Sequence, residues 1–435
     1  MNISDWLKKN PHVDPGFISS QTTERVQTSI RPKISVVNQF FPPDYAPTGQ
    51  LIEELVKQLD RQGAEVEVFT GQPGYAFQAT KAPAFEKLGR VQVKRSRTSQ
   101  LFPYRIRGKA INGILFSLRT FLYMLNPRRH NNVVLLTSAP PFLPVLGYLA
   151  SLLFGISYVC LIYDLYPDIA IELGVIPADH WLARVWQALN RQVWQQAKGV
   201  IVLSPAMKDR VTSICPEVEH KVSVIHSWAN PDWITPLSKE DNWFAQEHQL
   251  VEPFTVLYSG NMGRCHDVDT ILAAATHLRD EPVRFVCIGA GAKREGLMQQ
   301  VQELGLENFT FLPYQDRSVL PHSLTACDLS LVSVAEGMES LVAPSKLYSA
   351  LSSGRPLAVI CPQHSYLNQI VSEAGCGASF SNGDGKGLAQ FIRFLVSDRP
   401  TAEKMGAAGR DYLQQSFTPE AIAKQYFKVL RRAAA

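Results

Sequence analysis

Between Glu86 and Asp164 the sequence has no acidic residue, although over the whole chain 39 Asp and Glu nearly balance 43 Lys and Arg. The same span holds Lys87, Arg90, Lys94, Arg95, Arg97, Arg105, Arg107, Lys109, Arg119, Arg128 and Arg129. Leu101, Phe102, Tyr104, Ile106, Ile111, Ile114 and Phe116 are interleaved with them. Cations among apolar residues suit an anionic membrane surface or a lipid phosphate, and a plain solvated basic face has the same composition. Arg95, Arg97, Arg105, Arg107 and Lys109 are the expected lipid-facing set. No helix-turn-helix, zinc-finger or RNP signature accompanies them, which argues against nucleic acid.

Other absences narrow the class further. There are only 7 cysteines, an odd number with no CxxC spacing. They read as buried free thiols in a reducing compartment, not as a disulfide framework. No secretory signal opens the chain, and residues 1–31 read as a flexible arm. From Asn131 to Tyr163 there is no charge, yet Pro140, Pro141, Pro144, Gly147 and Gly155 break the run. No piece reaches the roughly 20 apolar residues of a membrane span. Two buried strands around a core helix are expected there, with a re-entrant helix over 142–154 as the alternative. No DxD-type metal site stands out. A cytoplasmic protein at the inner face of the membrane fits these absences.

What is present is an α/β chain. At 435 residues with 46% hydrophobic and 19% charged content, two domains are the default. A strand over 33–38, a helix with apolar Leu51, Ile52, Leu55, Val56 and Leu59, and an alternating strand over 65–70 make a βαβ unit. Further strands are expected over 91–94, 133–137, 156–163, 200–204 and 222–226. Residues 230–253 are polar, with prolines and no clear period, and read as the linker. The alternation then resumes, with strands near 254–259, 283–289, 308–312, 328–333, 356–361 and 377–380. The domain plan is therefore 32–229, linker 230–253, and 254–415. A last helix over 416–435 is expected to pack back on the first domain.

The candidate chemistry sits in the turns. Ser259-Gly260-Asn261-Met262-Gly263-Arg264-Cys265-His266-Asp267 joins a buried strand to a helix. Two glycines there let backbone amides approach an anion, the helix N-terminus favours negative charge, and Arg264 and His266 add cationic donors. An ordinary glycine-containing βα turn has the same appearance. Gly289, Gly291 and Lys293 form a second such turn. Pro344-Ser345-Lys346 opens another helix, with Lys346 able to reach a phosphate. Gly49 marks a loop entering a helix, a place for a ligand or simply for a small residue. Asp164 and Asp168 follow a strand at its carboxyl end, where open α/β sheets bind ligands. A helix cap is the plainer reading of Asp168.

Taken together, Gly49 with its strand-loop, the segment Tyr163-Asp164-Leu165-Tyr166-Pro167-Asp168, the segment Tyr258–Gly263 and the segment Pro344–Pro356 resemble the retaining group 1 (family four) glycosyltransferases. The likeness is greatest to the branch that makes cell-surface polysaccharides such as colanic acid. The resemblance implies the GT-B fold, two Rossmann-like doubly wound domains facing across a cleft, with a nucleotide sugar held by the second. It implies that Gly260, Asn261, Gly263 and Arg264 face the donor diphosphate, with Ser345, Lys346 and Ser349 near the phosphates or ribose. His266 stands where many relatives carry lysine. The family's pair of glutamates would fall at Leu341 and Ser349, so it is not intact, and Glu336 and Glu339 are out of register. The implied reaction is transfer with retention, needing neither metal nor other cofactor, from a nucleotide sugar, UDP-linked by preference, to a lipid-linked or saccharide acceptor. Asp168, and after it Asp164, would orient that acceptor. The alternatives are a GT-B protein that binds a nucleotide sugar without transferring it, or a sugar-nucleotide epimerase.

Overall fold

The computed structural model describes residues 31–44, 46–73, 82–96, 106–127 and 130–435, and of 106–110 the backbone alone. The expected N-terminal arm, Arg97 and Arg105 lie outside the described residues. The first domain runs β1 (Lys33–Val37), α1 (Pro47–Arg61), β2 (Glu65–Thr70), β3 (Phe85–Leu88), β4 (Val91–Arg95), α2 (Ile106–Met124), β5 (Val133–Thr137), α3 (Leu143–Phe154) and β6 (Tyr158–Ile162). It continues with α4 (Asp168–Glu172), α5 (Trp181–Gln196), β7 (Gly199–Val202), α6 (Pro205–Ile214) and β8 (Val222–Val224). Its strands order as β3-β4-β2-β1-β5-β6-β7-β8. All pairs are parallel except the β3–β4 hairpin. The sequence gives no period for β3, because its side chains alternate between exposed and half-buried at the sheet edge.

The second domain follows as α7 (Trp243–Glu247), β9 (Phe254–Ser259), α8 (Asp269–His277), β10 (Val283–Ile288), α9 (Arg294–Glu303), β11 (Phe309–Leu312) and α10 (Leu320–Thr325). Then come β12 (Leu329–Ser333), α11 (Lys346–Ser352), β13 (Leu357–Ile360), α12 (Tyr366–Ala374), β14 (Gly377–Phe380), α13 (Gly385–Ser397), α14 (Arg399–Ser416) and α15 (Pro419–Ala434). The parallel order is β11-β10-β9-β12-β13-β14. Residues 254–258 of β9 are all buried, as expected for a strand covered on both faces. The order reverses between β9 and β12, so a crevice opens beyond their carboxyl ends. In the first domain the matching reversal lies between β1 and β5.

Segment 230–253 is not a bare linker. Ile234, Phe244, Ala245 and Leu250 pack with Leu257, Val286 and Ile288 in one apolar cluster. The buried Lys239 bonds Asp328 and the Pro253 carbonyl, both at 2.7 Å. Its irregularly spaced apolar residues hide this from any periodicity. The chain recrosses between the domains just before α15, where the Ala229 amide donates to the Phe417 carbonyl at 3.3 Å. Helix α15 then packs on α1 and on β5, β6 and β7. Tyr426, Leu430 and Ile422 thereby join the core of the first domain.

The uncharged stretch resolves into β5, α3 and β6. Pro144 sits in the first turn of α3 and Gly155 ends it with φ +68°. Among the described residues, no helix is long and apolar enough to cross a membrane.

Candidate active site

Beyond the ends of β9 and β12 a cleft of about 610 Å³ opens between the two domains. The second domain contributes Gly260, Asn261, Gly263, Arg264, His266, Ser345, Lys346 and Ser349 to its wall. The first contributes Gln50, Glu54, Asp164 and Tyr166. Two contacts hold the walls together at this edge. The Leu165 amide donates to the Leu341 carbonyl at 3.1 Å, and Arg317 Nη1 bonds Glu53 Oε2 at 2.8 Å.

The turn after β9 takes its shape from backbone that only glycine tolerates. Gly260 has φ +129° and hands its amide to the Ile288 carbonyl at 2.8 Å. The second glycine turn lies behind it. A Cβ on Gly289 would fall 2.2 Å from the Gly260 oxygen, and one on Gly291 2.5 Å from the Met262 carbonyl. Lys293 Nζ donates to the His266 carbonyl at 2.8 Å. Gly289, Gly291 and Lys293 therefore buttress the first turn and do not line the cleft, contrary to the expectation that they meet the phosphates. The start of α8 is also taken: Asp267 accepts from the Thr270 amide at 3.0 Å and its hydroxyl at 2.6 Å. That first-turn amide is spent on a cap, so the turn before it and the nearby side chains carry the site's positive character.

Lys346 is the cation at its centre. It is half-buried, with Nζ 2.9 Å from the Tyr258 hydroxyl and 3.3 Å from the Asn261 carbonyl. It has no acidic partner among the described residues, and burial pushes its pKa down to about 7. His266, beside it, is held neutral. Burial first, then the charges of Lys346 and Lys293, drive its pKa to about 3. Its Nδ1 is buried without a hydrogen-bond partner. Ser349 Oγ donates to the Lys346 carbonyl at 3.0 Å. Glu339 turns away to His364 at 3.0 Å, and neither it nor Glu336 lines the cleft.

The first-domain expectations divide. Asp164 is exposed at the cleft, and the protein packed about that opening pushes its carboxyl up to about 6. Its neighbour Asp168 is buried and paired with Arg210, whose Nε lies 3.0 Å from Oδ1. The expected order of the two is reversed: Asp168 is a fold residue, because its carboxylate is spent on Arg210. Gly49 is likewise structural. A Cβ there would lie 3.0–3.1 Å from the backbone of Phe40 and Phe41, so it seats the loop on α1.

Arg95 is not lipid-facing. It is 4% exposed and bonds Glu86 at 2.7 Å and the Pro83 carbonyl at 3.1 Å, with a further bond to the Pro42 carbonyl at 2.6 Å. A buried guanidinium in a strand needs such partners, and a composition count does not see them. Arg107 and Lys109 lie in the first turn of α2, with only their backbone described.

Two cleft features escaped the sequence. Glu54 accepts from Trp228 Nε1 at 2.7 Å, and burial raises its pKa. It lies between apolar positions of α1 and carries no local signal. Arg317 follows β11 at the carboxyl edge of the second sheet, where the rule that placed Gly260 would have pointed to it.

Comparison with known proteins agrees with this architecture. Residues 48–228 match the family described as Glycosyl transferase 4-like domain, and residues 239–412 match Glycosyl transferases group 1. The chain is 23% identical over 393 residues to "Probable glycosyltransferase WbjE" of Pseudomonas aeruginosa, covering 89% of this chain and 94% of that one. It is 24% identical over 415 residues to "Putative colanic acid biosynthesis glycosyl transferase WcaI" of Escherichia coli K12, covering 92% and 100%. Among solved structures, sucrose-phosphate synthase of Thermosynechococcus elongatus superposes with a TM-score of 0.73 at 18% identity, covering 92% of this chain and 98% of that one. Anabaena HepE in complex with UDP-glucose gives 0.65 at 16% identity, covering 92% and 99%.

Proposed function

The chain belongs to the glycosyltransferase group 1 family and has the GT-B fold, and from that premise we propose that it moves a sugar, with retention, from a UDP-sugar to a membrane-lipid-linked or polysaccharide-precursor acceptor. One observation carries the reading. Lys346 holds an ammonium at the glycine turn of the cleft, steadied by Tyr258 and Asn261, with no acidic partner among the described residues. Such a cation answers a diphosphate.

The difficult step in glycosyl transfer is charge on the departing diphosphate. Lys346, Arg264 and the amides of Gly263 and Arg264 meet that charge as the glycosidic bond breaks, without a resident metal. Ser345 and Ser349 stand beside them for the phosphates or ribose. Neutral His266 contributes its unpartnered ring nitrogen as a hydrogen-bonding group rather than as a charge. Asp164, across the cleft, orients the acceptor hydroxyl. The HepE complex with UDP-glucose supports a UDP-linked donor. The relative named for colanic acid biosynthesis supports a polysaccharide-precursor acceptor, and with it a peripheral position at the inner membrane face.

The test is incubation of purified protein with UDP-, GDP-, ADP- and CMP-sugars and a bacterial lipid extract. Nucleotide release is followed, the glycolipid is isolated, and its anomeric configuration is read by NMR. UDP release coupled to a glycolipid of retained configuration is expected. Conversion of the donor without acceptor would instead identify an epimerase. Binding without consumption would identify a non-transferring protein.

A further inference from the structure

Helices α2, α3 and α5 form one layer. The connections β4–β5, β5–β6 and β6–β7 all step the same way across the sheet, and right-handed crossovers put their helices on one face. Helix α2 packs on α3 and α3 on α5, while α1 and α15 pair on the opposite face. The outward side of this layer is apolar where solvent is expected. Ile114, Leu118 and Leu122 make an i, i+4, i+8 stripe along α2, with Leu118 57% exposed. Beside it, α3 exposes Leu149, Leu152 and Leu153, the last two at 57% and 63%. The start of α5 adds Trp181 at 67%. Most of the large exposed apolar side chains among the described residues lie on these three helices.

Charge selects the occupant of this face. None of the three helices contains an acidic residue, while α2 contains Arg107, Lys109 and Arg119 and α5 contains Arg184 and Arg191. Arg119 and Arg184 are exposed, whereas Arg191 is paired with Glu217 at 3.4 Å. Protruding aliphatic side chains on helices that carry cations and no carboxylate match the acyl boundary and headgroups of an anionic bilayer. The face also connects with the cleft, since Tyr166, part of the cleft wall, stacks on Trp186 of α5 with ring centroids 5.9 Å apart.

We propose that the outer face of α2, α3 and the start of α5 lies on an anionic lipid bilayer, with Leu118, Leu152 and Leu153 entering the acyl boundary. This docking surface lies away from the strand edge of Arg95, whose charge is buried. The inference rests on the functional reading above only for the purpose of docking, delivery of a lipid-linked acceptor. The face itself is a property of the first domain.

The experiment is vesicle flotation of the full chain with phosphatidylcholine alone and with phosphatidylcholine–phosphatidylglycerol mixtures. Wild type is expected to float with the anionic vesicles, and less so in high salt. Leu118→Glu/Leu152→Glu/Leu153→Glu lowers the bound fraction by about tenfold or more. Phe394→Glu, an exposed apolar position on α13, leaves it unchanged. A second variant, Leu152→Ser/Leu153→Ser, gives an intermediate loss and keeps the test open should the triple variant misfold. Thermal stabilisation by UDP is measured on every variant. It is retained when docking alone is lost, whereas its absence in wild type that still floats sinks the donor assignment and leaves the docking face standing. Wild type that ignores anionic vesicles, or a triple variant that floats like wild type, overturns the proposal. So does light scattering that shows a dimer dissociated by the same substitutions, which would make this face a self-interface.

Discussion

The ammonium of Lys346 lies 4.7 Å above the centroid of the Tyr258 ring and 2.9 Å from that ring's hydroxyl. A residue from the end of β9 thus fixes one from the start of α11, 88 positions later. The cation is restrained before any ligand arrives, so little side-chain entropy remains to be lost on binding.

Lys346→Ala is expected to lower turnover by about 100-fold, the loss typical of one charge-stabilising donor. The melting temperature should change little. Lys346→Arg should recover part of the rate. Steady-state kinetics and calorimetry on the same preparations check this, and undiminished turnover in the alanine variant would remove Lys346 from the site.

The pH dependence of donor binding follows from the same group. With its pKa near 7 in the empty cleft, Lys346 loses its proton as pH rises above that value. A bound diphosphate raises the pKa again. UDP-sugar affinity should therefore fall as pH goes from 7 to 9, with proton uptake on binding. Titration calorimetry in buffers of different ionisation heat measures that uptake, and in Lys346→Ala it should vanish.

Asp164 and Asp168 should separate cleanly. Asp168→Asn breaks a buried ion pair with Arg210 and should cost about 1–3 kcal/mol, reduced because Arg210 is partly exposed. Asp164 has a raised pKa in the folded state, so its ionisation opposes folding above about pH 6 and not below the unfolded value. Asp164→Asn should therefore raise the melting temperature slightly more at pH 8 than at pH 4, the effect being small because solvent screens an exposed carboxylate, while lowering turnover. Melting curves at both pH values together with kinetics decide the assignment.

Arg317 ties the loop after β11 to Glu53 of α1. Burial raises the Glu53 pKa, but hydrogen bonds and charge from Lys57 and Arg317 outweigh it and hold the carboxyl below its ordinary value. The sign gives a contribution to closure that is present at neutral pH and lost in acid, as pH falls through that lowered pKa. Arg317→Ala should open the cleft, seen as a larger radius of gyration by small-angle scattering. Its stability should change by about 1 kcal/mol or less. No change in scattering would show that the remaining interdomain contacts, among them Leu165–Leu341 and His226–Tyr348, keep the domains closed without Arg317.

Gly291→Ala tests the buttress. Its φ of +142° and the 2.5 Å approach to Met262 leave no room for a methyl group. The variant should lose about 1–3 kcal/mol of stability and weaken UDP binding, although residue 291 does not line the cleft. Unchanged nucleotide affinity would show that the first turn holds its shape unaided.

Much of the fold was legible because parallel sheets bury their strands on both faces. Continuous apolar runs such as 254–258 and 133–136 cannot belong to solvent-facing elements. The glycine turn was legible for a related reason, since strand, glycines and helix succeed one another along the chain. Edge strand β3 and the cover built from 230–253 were not, because half-exposed or irregularly spaced apolar residues leave no period.

By itself the sequence determined the two α/β domains and the cleft residues Gly260, Asn261, Gly263, Arg264, His266, Ser345, Lys346 and Ser349. All but Ser349, which the family resemblance supplied, are set by local order along the chain. Only the tertiary structure decided which charges are available. Asp168 and Arg95 are neutralised by Arg210 and Glu86, and Lys293 is turned to the His266 carbonyl. Asp164 and Lys346 reach the cleft without such partners among the described residues. Two charges alike in sequence differ because pairing depends on partners 9 or 42 positions away brought within bonding distance, and composition carries no record of those distances.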